Sequence, residues 1–297
     1  MRILITGATG QLGPYLVRQL LTGDHELILW SQSWNQPVSG VSVRQVELSD
    51  FTAAGAAFAE AKPEVVIHAA AIANMQQALS DPSRAERINT YATANIAELA
   101  THYRARMIYL STDLVFDGER DCTTSGYSET DGTRALSCYA QTKLMGEGPV
   151  MLKSDVNLVL RLPLMIGPSL NGRMKFFDHL VAALKGNRKI TLFDDEWRTP
   201  IAPDTVAHAI ALIIEHHVTG LYHLAGPDRM SRYEIGAKLA QIINADPATI
   251  VAASRLSIDA PEPRPRDTSL DASKWYAAMP SCPRPHFEES IRRLLNS

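Results

Sequence analysis

The chain opens Met1-Arg2-Ile3-Leu4-Ile5-Thr6-Gly7-Ala8-Thr9-Gly10-Gln11-Leu12-Gly13-Pro14, and this stretch decides the fold class. A short apolar strand runs straight into three glycines spaced every third residue. A helical pattern follows at once over residues 11–21, with Leu12, Leu16, Val17 and Leu20 on one side. Strand, glycine turn and helix in that order build an anion site from backbone alone. Gly7 lets the chain turn sharply off the strand, Gly10 lets the backbone approach a pyrophosphate without a Cβ in the way, and Gly13 lets the helix pack on the strand. The free N–H groups of the first helical turn then face the anion, and Pro14 costs little where its missing N–H has no partner anyway. Thr9, Gln11 and Leu12 complete the loop and join the glycines as expected cofactor contacts.

Working outward, short apolar segments at 27–30, 43–46, 65–68, 107–110 and 157–160 alternate with helical stretches. The helices expected are 51–62, alanine-rich and stopped by Pro63; 81–103, opened by Asp81-Pro82; and 138–152. Such alternation predicts an α/β fold, a Rossmann-type doubly wound parallel sheet of six or seven strands. After about Leu162 the alternation lapses and helices at 172–185, 203–217 and 231–244 are separated by longer loops. The expected organisation is a dinucleotide-binding domain over 1–162 and a smaller C-terminal substrate lobe over 163–297, with a return of part of the later chain to the sheet left open. Asp194-Asp195-Glu196 reads as a solvated turn. Arg264 and Arg266, among Pro261, Pro263 and Pro265, read as pins for the C-terminal segment.

The composition sets the outer bounds. The 297 residues are 45 % hydrophobic and 21 % charged, which excludes a disordered, collagenous or coiled-coil chain. A net charge of −3 gives no general affinity for nucleic acid or an anionic membrane. The longest apolar runs are about ten residues, against about 20 for a membrane span. Cys122, Cys138 and Cys282 match neither a zinc site nor a redox pair, and their odd number argues against a disulfide framework. No metal site is expected, and the natural setting is the cytoplasm.

Two further segments carry chemistry. Tyr139-Ala140-Gln141-Thr142-Lys143 opens the helix before the sixth strand, so the phenol and the ammonium share one helix face. A lysine cation lowers the pKa of a nearby phenol toward the working pH, which equips Tyr139 to hand a proton to a carbonyl oxygen. Ser111-Thr112-Asp113 ends the fifth strand, where open α/β sheets place their ligand sites. A hydroxyl there holds a substrate oxygen. The tip of the second strand, Trp30-Ser31-Gln32-Ser33-Trp34-Asn35, carries no acid to bind a ribose 2′-hydroxyl and no arginine to pair with a 2′-phosphate. Its hydroxyl and amide donors, Ser31 among them, favour NADP(H) and leave NAD(H) open. Ala69-Ala70-Ala71 after the fourth strand can line a cofactor without crowding it. Arg173 and Arg198 suit a substrate diphosphate, because guanidinium forks match phosphate oxygens.

These segments resemble the extended short-chain dehydrogenases/reductases. Within them, Tyr109-Leu110-Ser111-Thr112-Asp113-Leu114-Val115-Phe116-Asp117-Gly118 is similar to the signature of the dTDP-4-dehydrorhamnose reductases. Further matches run through Arg198-Thr199-Pro200, Gly220 to Gly226, Ser231 to Glu234 and Arg264 to Asp271. The resemblance implies Thr112, Tyr139 and Lys143 as catalytic residues, with Ser111 a substrate contact. It implies Glu47 and Leu48 as the acidic–apolar pair that brackets adenine, Tyr139 and Lys143 at the nicotinamide ribose, and a nucleotide-linked 4-keto-6-deoxy sugar as substrate between the lobes. Two positions depart from the pattern. Tyr15 stands where metal-linked dimers carry a glutamate, so no structural Mg²⁺ is expected and a homodimer stays open. Arg161 to Gly167 lacks the tryptophan that meets the sugar and is similar to the regulatory β subunit of methionine adenosyltransferase. An NAD-dependent epimerase or dehydratase and a non-catalytic NADP-binding subunit are the alternatives.

Overall fold

All six expected strands form, and they lie in one sheet. β1 (Arg2–Thr6) leads into α1 (Gly13–Leu20), then β2 (Glu26–Ser31), β3 (Val43–Gln45), α2 (Phe51–Ala61) and β4 (Val65–His68). Beyond these come α3 (Met75–Ser80), α4 (Pro82–Glu86), α5 (Thr93–His102), β5 (Arg106–Thr112), α6 (Cys138–Lys153) and β6 (Leu158–Leu162). The sheet has seven strands in the order β3-β2-β1-β4-β5-β6, closed by the strand Gly220–His223. Pairings from β3 across to β5 are parallel, with Ile5 opposite Leu29 on one side and Ile67 on the other. Every residue of β4, β5 and β6 is buried, as expected for a parallel sheet covered by helices on both faces. The strand order reverses between β1 and β4. That switch point is where ligands bind in open α/β sheets.

This is a computed structural model that describes residues 1–296, and the chain forms two compact units. The first comprises Met1–Thr112, Ser137–Arg161 and Val206–Tyr222. The second comprises Asp113–Leu136, Leu162–Thr205 and the chain from His223 onward. Ser297, the end of the expected second lobe, lies outside the described residues.

In the first unit, Leu4, Trp30, Phe58, Val66, Ile96, Met107 and Val159 form one cluster, with Trp30 and Phe58 edge to face at 6.3 Å. Truncating Phe58 there costs about 3–5 kcal/mol by the usual scale for a large buried ring. Local signals frame the helices as the sequence suggests. Asp50 caps α2 by accepting the Ala53 N–H at 2.9 Å, and the helix ends at Lys62, whose φ of 45° precedes Pro63. One expectation is corrected: residues 81–103 are not a single regular helix. After α4 the backbone widens into a π-helical turn at Arg87–Ala92 before α5 resumes. The turn puts Asn89 and Thr90 onto α6, where Asn89 Nδ2 donates to Thr142 Oγ1 at 3.0 Å and the Thr90 hydroxyl to the Thr142 carbonyl at 2.9 Å. Side-chain periodicity carries no mark of this, because the turn is selected by its neighbours.

The second unit is built around Phe177, Leu180, Leu184, Leu192, Ile235, Leu239, Ile250 and Ile291. Strands Ile190–Phe193 and Ile250–Ala253 pair in parallel beside helices Phe176–Lys185, Arg232–Ile242 and Phe287–Leu295. The sequence reading expected neither strand. Helix Arg232–Ile242 has a reciprocal cap, with Ser231 bonded to the Glu234 N–H and Glu234 to the Ser231 N–H. Among the described residues no helix is long and apolar enough to cross a membrane.

Candidate active site

The glycine loop follows β1 and α1 begins at Gly13. Gly7 has φ of +67°, and a Cβ there would lie 2.7 Å from the Ala70 backbone nitrogen. The loop therefore rests on the Ala69–Ala71 segment that leaves β4, and the two expected cofactor stretches meet at the switch point. A Cβ on Gly13 would sit 2.0 Å from the Ala8 carbonyl oxygen, so the helix start is pressed onto the turn. No side chain caps α1; its cap residue, Leu12, offers only its carbonyl. The Tyr15 and Leu16 N–H groups close onto the Leu12 carbonyl at 3.0 Å, and the first turn keeps the partial positive charge that attracts an anion. The fit to a dinucleotide pyrophosphate rests on these three observations.

Ser31, at the tip of β2, is committed inside the loop. Its hydroxyl lies 2.9 Å from that of Thr9 and accepts the Trp34 N–H at 3.3 Å. Gln32 donates its amide to Glu47 at 2.7 Å, and Glu47 also accepts the Ser49 N–H and hydroxyl. Partial burial pushes the Glu47 carboxyl up, but the Ser49 and Gln32 hydrogen bonds and the Arg84 charge outweigh it, and its pKa falls below the ordinary value. Glu47 is thus a fixed, charged acceptor, with buried Leu48 beside it.

Tyr139 and Lys143 stand one turn apart in α6, whose first turn is capped by Ser137 accepting the Ala140 N–H at 3.3 Å. Tyr139, half-buried at the positive end of this helix, is placed where the dipole favours a phenolate. Lys143 is 2 % exposed. Burial drags its pKa down to about 7, against the opposing pull of the Glu147 charge. Its Nζ lies 4.0 Å from the centre of the Tyr109 ring. His68 stacks on that ring at 5.9 Å and is bonded to the hydroxyls of Thr6 at 2.8 Å and Thr93 at 3.1 Å. Complete burial, and secondarily the Lys143 charge, push His68 down to about 3, so it is a neutral spacer.

Thr112 closes β5 and is buried. The Ser111 hydroxyl donates to the Glu147 carboxylate. Glu147 in turn is gripped by Arg161 Nε at 3.0 Å and Nη2 at 2.7 Å, a two-pronged pair with both side chains under 10 % exposed. Ser111 supplies the third bond of a buried carboxylate.

In the second unit the solvated-turn reading of the acidic run is corrected at Glu196, which is buried beside Arg198. Arg198 Nε lies 3.3 Å from Asp113, and its Nη2 lies 3.5 Å from Glu196. Glu196 is 1 % exposed and also binds Arg232 at 3.0 Å and Arg264 at 2.7 Å. Burial pushes its carboxyl up, but the three guanidinium groups win and hold it at about 2. Arg198 is held within this cluster. Asp113 also accepts the Thr268 hydroxyl at 2.7 Å. Arg173 stays on the surface, its N–H bonded to Asn171 at 3.0 Å. Among the described residues no group of histidine, cysteine or acidic side chains is arranged to hold a metal ion.

The sequence reading did not single out His68, Tyr109, Glu147 or Asn89. Two signals were available: Glu147 stands four residues after Lys143 on one helix face, and His68 and Tyr109 interrupt otherwise apolar strands.

Residues 1–297 match the family model described as the RmlD substrate binding domain. The chain is 27 % identical over 296 residues to a protein of Haloferax volcanii named a probable low-salt glycan biosynthesis reductase, covering 99 % of this chain and 97 % of that one. It is 30 % identical over 282 residues to the methionine adenosyltransferase 2 subunit beta of Xenopus laevis, covering 92 % and 81 %. In structure it is similar to the dTDP-4-dehydrorhamnose reductase of Bacillus anthracis in complex with NADP, with a TM-score of 0.87, 22 % identity, and coverage of 99 % and 98 %. The chain belongs to the RmlD substrate binding domain family.

Proposed function

We propose that this protein is an NAD(P)H-dependent reductase of a nucleotide-linked 4-keto-6-deoxy sugar, with NADP(H) the favoured cofactor. The observation that carries the reading is the pairing of Tyr139, at the positive end of α6, with a buried Lys143 one turn on. The reductase names among its relatives support it. Gly7, Gly10 and Gly13 with Thr9, Gln11 and Leu12 would hold the pyrophosphate, Glu47 and Leu48 the adenine, and Lys143 the ribose next to the nicotinamide. When bound, the nicotinamide supplies a hydride to the carbonyl carbon.

The chain's own residues supply the rest. Thr112 donates a hydrogen bond to the carbonyl oxygen. Tyr139 gives its phenolic proton to that oxygen as negative charge gathers there, and the C=O becomes CH–OH. The resulting phenolate is stabilised by the Lys143 ammonium and the α6 dipole until solvent restores the proton. Arg173 is the remaining candidate for the substrate diphosphate. The three cysteines, all free thiols, suit a reducing cytoplasmic setting.

Asp113 weighs against a dehydratase, because its carboxylate is held by Arg198 and Thr268. The likeness to a regulatory β subunit favours one second reading, a protein that holds the dinucleotide without turning it over. Following NADPH and NADH absorbance with a panel of nucleotide-linked keto sugars separates the two. Oxidation that depends on one sugar, lost by about 10²–10⁴-fold in Tyr139→Phe with cofactor affinity retained, is the expected result. Dinucleotide binding with no oxidation by any sugar rejects the reductase.

A further inference from the structure

We propose that Tyr109 is a positioning residue that keeps Lys143 charged and in place, by presenting its ring face to the ammonium. The inference rests on the reductase reading, because it concerns how the cation beside Tyr139 is maintained. One side chain grips Lys143 twice. The ring lies 4.0 Å from Nζ, and the phenol donates to the Lys143 main-chain carbonyl at 3.0 Å. The face of an aromatic ring carries negative potential, and its pull on a cation is greatest where water is excluded. Tyr109 is fully buried.

The other groups around Lys143 do less. Glu147 attracts it along α6, but Arg161 from β6 and the Ser111 hydroxyl from β5 occupy that carboxylate. His68 from β4 is neutral between Thr6 and Thr93. Tyr139 on α6 supports the cation only once it is ionised. On the helices packed against α6, Glu98 pairs with Lys153, Glu86 accepts the Tyr91 phenol, and Arg87 lies over the Phe51 ring and donates to the Ser49 carbonyl. Tyr109 itself stays un-ionised. Burial, and then the Glu147 and Tyr139 charges, raise its phenol well above the ordinary value. The ring is therefore a permanent, neutral support that a change of pH does not withdraw.

The test compares full-length wild type with Tyr109→Phe, Tyr109→Leu and Tyr109→Met. NMR of protein labelled at the lysine Cε carbons follows Lys143 directly, with Lys143→Arg assigning its signal. Tyr109→Phe keeps the ring and should leave the Lys143 titration midpoint in place. The Leu and Met variants should lower it by about one pH unit, a tenfold loss of proton affinity. If Leu does not fold, the unbranched Met variant serves alone. In turnover with NADPH, the alkaline fall of the rate should move to lower pH by the same amount in Leu and Met but not in Phe, with the sugar KM within about twofold. An unmoved midpoint in the ring-less variants overturns the proposal. An equal drop in Phe also overturns it, since it assigns the effect to the phenol–carbonyl bond. The NMR midpoint needs no substrate, so a chain that reduces no keto sugar rejects the reductase reading and leaves this result standing.

Discussion

The protein buries two very different charges. In the first unit Lys143 is covered by a ring face and by a carboxylate already bound to an arginine, and its pKa has fallen to about 7. In the second unit Glu196 is ringed by Arg198, Arg232 and Arg264 and is held at about 2. Burial opposes ionisation at both. It wins at the lysine, where little countercharge is free to answer it, and loses at the glutamate, where three cations converge. An over-compensated charge is locked at every pH the cell meets and serves architecture. An under-compensated one lies close to changing state, so its charge depends on the support its neighbours give it.

The largest test of this contrast is Glu196→Gln. Removing the shared carboxylate leaves the enclosed Arg198, 3 % exposed, without one of its two acidic partners, and urea unfolding should show a loss of about 3 kcal/mol. The pH dependence has a definite sign. Glu196 has a folded pKa of about 2 against an ordinary 4.5, so its contribution is present above about pH 4.5 and is lost as pH falls toward 2. By linkage the wild type should lose about 3 kcal/mol across that window beyond what the variant loses. A loss under about 1 kcal/mol in the variant would show that the cluster locks nothing.

Lys143→Met addresses the opposite case. The lysine titrates near 7 folded and near 10.5 unfolded, so between these values the unfolded chain binds more protons. Wild-type stability should therefore rise with pH across that window, by up to about 1.4 kcal/mol per pH unit from this group alone. The variant should flatten the curve and abolish turnover. Parallel stability curves for the two proteins would mean that Lys143 is not under-compensated.

The smallest effect sharpens the division among the arginines. Arg173→Ala should leave the urea midpoint unchanged and raise the nucleotide-sugar KM about fivefold, in line with an exposed charge contact of about 1 kcal/mol. Arg198→Ala, by contrast, should register first in stability. A reversed ranking would exchange their roles.

What was legible in the sequence followed from short-range chemistry. Gly7, Gly10 and Gly13 between a strand and a helix are a backbone requirement, and Gly10 and Gly13 act on atoms within a few residues, whereas the contact of Gly7 with Ala70 came only with the fold. Tyr139 and Lys143 are one helical turn apart, so their common face follows from helix geometry. The strands that alternate with helices were readable because burial on both faces leaves runs of apolar side chains. The π-helical turn at Arg87–Ala92 was not readable, because a helix with one extra residue in a turn has no composition of its own.

The sequence by itself determined the sheet, the glycine turn between β1 and α1, and the common helix face of Tyr139 and Lys143. Only the tertiary structure decided which charges are spent on one another. Arg198 stands on the chain as a free guanidinium and Asp194-Asp195-Glu196 as a wet turn, until Arg232 and Arg264 arrive from 36 and 68 residues away. Ser111 is likewise tied to Glu147, across 36 residues. The physical reason is that the cost of a buried charge depends on every partner within a few ångströms, and sequence order does not encode those distances.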